Sequence, residues 1–318
     1  MTPCLEVRIP ISPLDHYYNR VHLIAHSIRS LGGRYADAGI RVTIGADAEP
    51  QDLHKKLPWS RRLNIDWRWI DRREFLTWSG TAHPYIATMM ERFRPPFDAD
   101  NILMLDADVI AMRPFDELLT RLETRPGIAG VMAHVSPFQP HEHEAWWRRF
   151  FKDAGLAAPE FAHALSGWGL MDHEPTRRLS PPYFNTGVLL APRALLAQLY
   201  DPYMECLVAV RKVLDTYFFE QIALTVAMYR AGLPFHVVPL RYNFPNQAAF
   251  DAAQPGELRE LCFLHFLRSD VVKREADFVD LTTLKRLVAR QDLSGSNEKL
   301  RQRVAELLPI LIAGRTAG

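Results

Sequence analysis

The sequence has little of what would staple a chain together or tie it to a membrane. Cysteine is scarce: Cys4, Cys206 and Cys262 are the three in 318 residues. An odd number, far apart and with no CxxC pair, excludes a disulfide framework and predicts buried free thiols in a reducing compartment. No apolar run approaches the roughly 20 residues of a membrane span. Glu6 and Arg8 interrupt the first ten residues, where a secretory leader would carry an unbroken apolar stretch. The expectation is therefore a cytoplasmic protein with no transmembrane segment. Net charge is nearly absent too, since 38 Lys and Arg against 37 Asp and Glu leave +1. No whole-molecule field draws this chain to nucleic acid, so no nucleic-acid partner is expected and any anion site must be local. Repeats and low-complexity tracts are missing. So is a glycine-rich phosphate loop after the first apolar segment, where Ile9-Pro10-Ile11-Ser12-Pro13 stands instead, which argues against a nucleotidyltransferase.

What is present is a core-forming α/β pattern, with 48% apolar residues. Leu5 to Ile11 reads as a strand closed by Ser12-Pro13. Tyr17, Val21, Ile24, Ile28 and Leu31 recur at helical spacing, with Asp15 as the expected cap and Gly32-Gly33 as the stop. Ile40 to Gly45 is a second strand, and strand–helix–strand order favours a parallel sheet. Asp47 to Glu91 has no clear period. Further strands are expected at Asn101–Ala111, Ile128–Ala133, Gly187–Ala191, Phe235–Val238 and Cys262–Leu267, with Pro192 opening a helix and another helix over Thr216–Ala231. Leucines at 281, 284, 287, 300, 307, 308 and 311, interrupted by Ser294-Gly295-Ser296, predict two amphipathic helices that pack on the domain. His22 and His26 lack an acidic third ligand and read as ordinary helix residues. His141-Glu142-His143-Glu144 lacks the H-E-x-x-H spacing of zinc hydrolases and reads as loop.

The chemistry concentrates in Asp106 and Asp108. The run Ile102-Leu103-Met104-Leu105 has the texture of a buried central strand, and the two acids follow it directly before core residues resume. Acids at i and i+2 of a strand share a face, and two buried carboxylates side by side call for a cation. Hard oxygen ligands suit Mg²⁺ or Mn²⁺. The end of a parallel strand is also where open α/β sheets bind ligands.

ILMLDADVIA at Ile102–Ala111 resembles the aspartate signature of family 8 glycosyltransferases and their GT-A relatives. PYFNTGVLLA at Pro182–Ala191, FEQIA at Phe219–Ala223 and CFLHFL at Cys262–Leu267 are similar to that family's following blocks, in the same order. The resemblance runs from about Leu5 to Lys273. It implies a GT-A fold, a mixed and mostly parallel sheet flanked by helices, over residues 1–275. An acceptor-side insertion would fill 134–182, and a helical extension 276–318. It further implies a nucleoside-diphosphate sugar donor, UDP favoured, with Mn²⁺ or Mg²⁺ and retention of anomeric configuration. Asp106, Asp108 and His265 would bind the metal. Asn185, Glu220 and Gln221 would face the sugar, while Ile11, Ser12, Asp15 and Ala107 fall where nucleoside contacts are expected. The closing block departs from the family pattern, leaving Arg268 and Lys273 as candidates for the diphosphate. The family's arginine ahead of the aspartate strand has no counterpart in Tyr85–Met90, and Arg92 stands later.

Trp146, Trp147 and Trp168 in the insertion fit either an acceptor platform or anchors to the core. The acceptor, whether glycan, protein or small molecule, and the oligomeric state stay open. Two other readings of the chain remain. A haloacid-dehalogenase-type phosphohydrolase also carries an Asp-x-Asp motif, although its later acidic block is missing. A degenerate sugar-nucleotide-binding protein would keep the fold without the activity.

Overall fold

The computed structural model describes residues 4–71, 73, 89–171, 177–214, 216–267 and 271–316. Its centre is a seven-stranded sheet in the order β10-β6-β9-β4-β1-β2-β3. The strands are β1 (Leu5–Ile11), β2 (Gly39–Ala46), β3 (Ile65–Asp71), β4 (Asn101–Leu105), β6 (Ile128–Met132), β9 (Phe184–Pro192) and β10 (Phe235–Val237). β1 runs parallel to β2 and β4, and β2 to β3, so the carboxyl ends of these strands share one edge. β9 is antiparallel to both β4 and β6 and makes the sheet mixed. A three-stranded sheet of β5 (Val109–Ala111), β12 (Phe263–His265) and β11 (Phe244–Pro245) continues beyond the β4 end. A two-stranded pair, β7 (His163–Ala164) and β8 (Leu179–Ser180), lies in the insertion.

The continuous apolar run in β4 follows from its burial on both faces. Leu103 and Leu105 pack with β1, β2 and the helix Asp15–Arg29, while Ile102 and Met104 pack on the other face against the helices Arg193–Val213 and Phe219–Arg230. β1 achieves the same burial differently. Leu5, Val7, Ile9 and Ile11 fill one face, while Glu6 and Arg8 pair at 2.8 Å on the other. Arg8 also donates to the carbonyls of Arg92, at 3.3 Å, and Arg94, at 2.5 Å. The charges that break the apolar stretch at the start of the sequence thus tie the central strand to the segment entering β4.

Several expectations are corrected. Asp15 is the first residue of its helix, after Leu14, and its carboxylate accepts from Lys56 Nζ at 2.8 Å instead of capping. Pro192 ends β9 and precedes the helix Arg193–Val213. Cys206 and Cys262 are buried thiols, but Cys4 is exposed. The segment His141–Glu144 is not all loop. His143 opens the helix His143–Asp153 and is buried with Trp147, Phe150 and Phe151, a helical stripe that outweighs the polar start. Trp147 is fully buried and anchors the insertion to the core, whereas Trp168 is exposed.

The helices Leu281–Ala289 and Gly295–Thr316 bury Leu284, Leu287, Leu300, Val304, Leu307 and Leu311 against β5, β11 and β12. Asp280 caps the first of them in a reciprocal pair with Thr283. Arg303 donates to the carbonyl of Ala111 and to Ser30 Oγ, fastening the second to the sheet. Among the described residues no helix is long and apolar enough to cross a membrane.

Candidate functional site

At the end of β4 the chain leaves the sheet. Asp106 N–H still donates to the Gly187 carbonyl at 2.9 Å, but Ala107 and Asp108 turn away before β5 resumes the core. Asp106, Asp108 and His265 each offer one ligand atom, and these atoms lie within 4.8 Å of one another. Two carboxylates and an imidazole in that arrangement form a set able to hold a metal ion. The cluster opens into a pocket of about 150 Å³, whose lining includes Ala107, Asn185, Gln221, Glu220, Arg20 and Arg274.

Each acid has a cation of its own. Asp108 is buried, with Oδ1 3.1 Å from His265 Nε2 and Oδ2 accepting from Arg274 Nη1. Burial alone would raise its pKa, but charge and hydrogen bonding from His265, then Arg274, outweigh it and hold Asp108 well below the usual carboxylate range. His265 mirrors this. Burial opposes its protonation, while Asp108 more than compensates and raises its pKa. Asp106 accepts from Arg92 Nη1 at 2.9 Å, and the Arg92 side chain is wholly buried.

Arg92 also lies 3.8 Å from Glu220 Oε2, so one guanidinium spans two carboxylates from different blocks of the sequence. Glu220 accepts from Thr186 Oγ1 at 2.7 Å and from Tyr203 Oη at 3.4 Å. Burial is the largest influence on it and raises its pKa, partly offset by Arg92 and Thr186.

His265 is fitted against β9. A Cβ on Gly187 would fall 2.3 Å from His265 Cε1, so only glycine lets the imidazole approach the strand. Its Nδ1 is 3.0 Å from Asn243 Oδ1, and Asn243 Nδ2 donates to Asn185 Oδ1 at 3.1 Å.

Asp106, Ala107, Asp108, Asn185, Glu220, Gln221 and His265 therefore line one pocket, although they come from four separate sequence blocks. Ile11 and Ser12 sit at the end of β1, and Asp15 on the exposed start of the next helix, outside that lining. Lys273 is exposed and also outside it, and Arg268 lies beyond the described residues, as do 85–88. The neighbour of Lys273, Arg274, is the residue that reaches Asp108. Arg20, Asn243 and Arg274 were missed as site residues by sequence reading, and Arg92 was noted only as standing later than the family's arginine. Arg20 carried a signal, since it falls on the same helical stripe as Tyr17 and Ile24, where a charge is out of place; it donates to the Arg274 carbonyl at 2.5 Å. Asn243 follows a short 3₁₀ turn and gave none.

No protein-family model and no curated protein matches the sequence. Solved structures match by fold. The galactosyltransferase LgtC, in complex with donor and acceptor sugar analogues, aligns with a TM-score of 0.54 and 16% identity, over 96% of this chain and 95% of that one. An active-site mutant of LgtC aligns with a TM-score of 0.55 and 15% identity over 95% of both chains. The bifunctional glycosyltransferase WbbM matches at 0.54 and 12% identity, over 100% of this chain and 52% of the other. The chain has the GT-A fold of these glycosyltransferases.

Proposed function

We propose that this protein is a metal-dependent glycosyltransferase that takes a sugar from a nucleoside-diphosphate donor, UDP favoured, and passes it to an acceptor with retention of configuration. The observation that carries the reading is the meeting of Asp106, Asp108 and His265 within 4.8 Å at the carboxyl end of β4. Mn²⁺ or Mg²⁺ held there would act as a Lewis acid on the leaving diphosphate. The donor set fits such an ion, because both Asp108 oxygens already draw cationic partners into the site.

The protein's own residues divide the remaining work. Arg274, partly exposed at the pocket, is the side-chain cation available to the charge that grows on the diphosphate as the sugar leaves. Arg20 holds its backbone in place. Arg92 orients Asp106 and Glu220 together. Buried and engaged by Thr186 and Tyr203, Glu220 fixes the wall of the sugar site, and Gln221 and Asn185 supply amides to the sugar.

The test is release of nucleoside diphosphate from a panel of UDP- and GDP-sugars, with and without Mn²⁺, by the wild type and Asp106→Asn. Metal-dependent release abolished in the variant supports the reading. Release of phosphate from simple phosphomonoesters, with no turnover of any nucleotide sugar, would favour the phosphohydrolase instead.

A further inference from the structure

A hydrogen-bond chain fixes which nitrogen of His265 is offered to the cluster, and its first link is a main-chain group with no ambiguity. Gly187 N–H can only donate, and it lies 2.9 Å from Asn185 Oδ1, so that end of the Asn185 amide is the oxygen. Asn243 stands 3.1 Å from the same oxygen and 3.3 Å from the Asn185 carbonyl. Facing two acceptors, it must present its NH₂ group. The other end of the Asn243 amide is then its oxygen, and this is what meets His265 Nδ1 at 3.0 Å. An amide oxygen only accepts, so Nδ1 carries the hydrogen. Nε2, 3.1 Å from Asp108, shares a second proton with that carboxylate while the ring is charged, and carries the lone pair once that proton is lost to alkali or to a metal ion.

We propose that Asn243 is the positioning residue that sets the His265 tautomer and so selects Nε2 as the metal-facing nitrogen. The inference rests on the metal reading given above. Asn243 and His265 are both buried, so water does not replace the amide as acceptor. The ring lies close against β9, where a Cβ on Gly187 would fall 2.3 Å from Cε1 and 2.7 Å from Nδ1. Partners behind a ligating histidine orient the ring and raise its basicity, and losing one commonly costs about 10–100-fold in metal affinity.

Two readouts test this. Long-range ¹H–¹⁵N spectra of metal-free protein at alkaline pH, with the His265 signals identified by their loss in His265→Gln, should show a protonated Nδ1 and a bare Nε2. Mn²⁺ titration followed by electron paramagnetic resonance should show about 10–100-fold weaker binding in Asn243→Leu, together with a shift toward the Nε2–H form. Asn243→Asp keeps the acceptor toward Nδ1 but loses the donor to the two Asn185 oxygens, so it should retain the Nδ1–H form while lowering stability. An Nε2–H ring in the wild type overturns the proposal, as does a folded Asn243→Leu with unchanged tautomer and affinity. If Asn243→Leu does not fold, the wild-type tautomer decides. The tautomer is read without metal, so failure of the wild type to bind Mn²⁺ counts against the metal site and leaves the hydrogen-bond relay to be judged by the spectra.

Discussion

Replacing Gly187 by alanine adds one methyl group where the site has no room. The new Cβ would stand 2.3 Å from His265 Cε1, 2.7 Å from Nδ1 and 3.0 Å from Asn185 Oδ1. Non-bonded carbons settle at about 3.5–4.0 Å, so the ring would have to retreat by about 1 Å. A free side chain would make that move cheaply, but this ring is held by Asn243 on one nitrogen and Asp108 on the other, and is buried. We expect the strain to appear twice. Overpacking of a filled core costs about 1–3 kcal/mol, read as a lower urea midpoint at constant slope. Misplacing the imidazole should weaken Mn²⁺ binding by about 10–100-fold, in line with the loss of a ligand's orientation. Gly187 needs no unusual backbone angle, so the whole effect would come from the side-chain clash. A Gly187→Ala protein with wild-type stability and wild-type Mn²⁺ affinity would refute the close fit of His265 to β9.

Arg92→Met should destabilise the fold by about 3–5 kcal/mol in urea titration, because it strands Asp106 and the buried Glu220 without their shared cation. Arg274→Ala should tighten binding of Mn²⁺ alone by several-fold, since a competing cation leaves Asp108, while slowing release of nucleoside diphosphate; equal Mn²⁺ affinity in the two proteins would contradict this. His134 sets a pH dependence. Burial, aided by the charge of His265, lowers its pKa from 6.5 to about 3. The unfolded chain therefore takes up a proton below pH 6.5 that the folded protein refuses until about 3. Stability is full above the unfolded value and falls by about 1.4 kcal/mol per pH unit on acidification through that window. His134→Gln should flatten the fall in thermal midpoint between pH 6.5 and pH 4, and an unchanged profile would show that other groups govern it.

The strands were the most legible part of the chain. β1 was predicted to the residue from its alternating apolar positions and the Ser12-Pro13 stop, and the β4–β5 pair nearly so because burial on both faces leaves an apolar run, a strong local signal. The reversal of β9 had no such signature, since strand direction depends on which neighbours pair and not on composition. At the site, the acids and His265 stood in recognisable blocks. Their partners did not. Arg92 and Asn243 act from irregular segments and Arg274 from the start of the four-residue helix Arg274–Asp277, where spacing carries no period and a shift of one position, as from Lys273 to Arg274, changes which side chain reaches Asp108. Glu6, Arg8 and Arg20, whose partners the sequence does not indicate, are buried and hydrogen-bonded.

The measurement that bears most directly on the central claim is calorimetric titration of the purified protein with UDP and with GDP, in the presence and absence of Mn²⁺, alongside Asp108→Ala. The account predicts that one nucleotide, UDP, binds only with metal and that binding disappears in the variant. If neither nucleotide binds in the presence of Mn²⁺, or if binding survives in Asp108→Ala, the cluster of Asp106, Asp108 and His265 is not a donor-binding metal site.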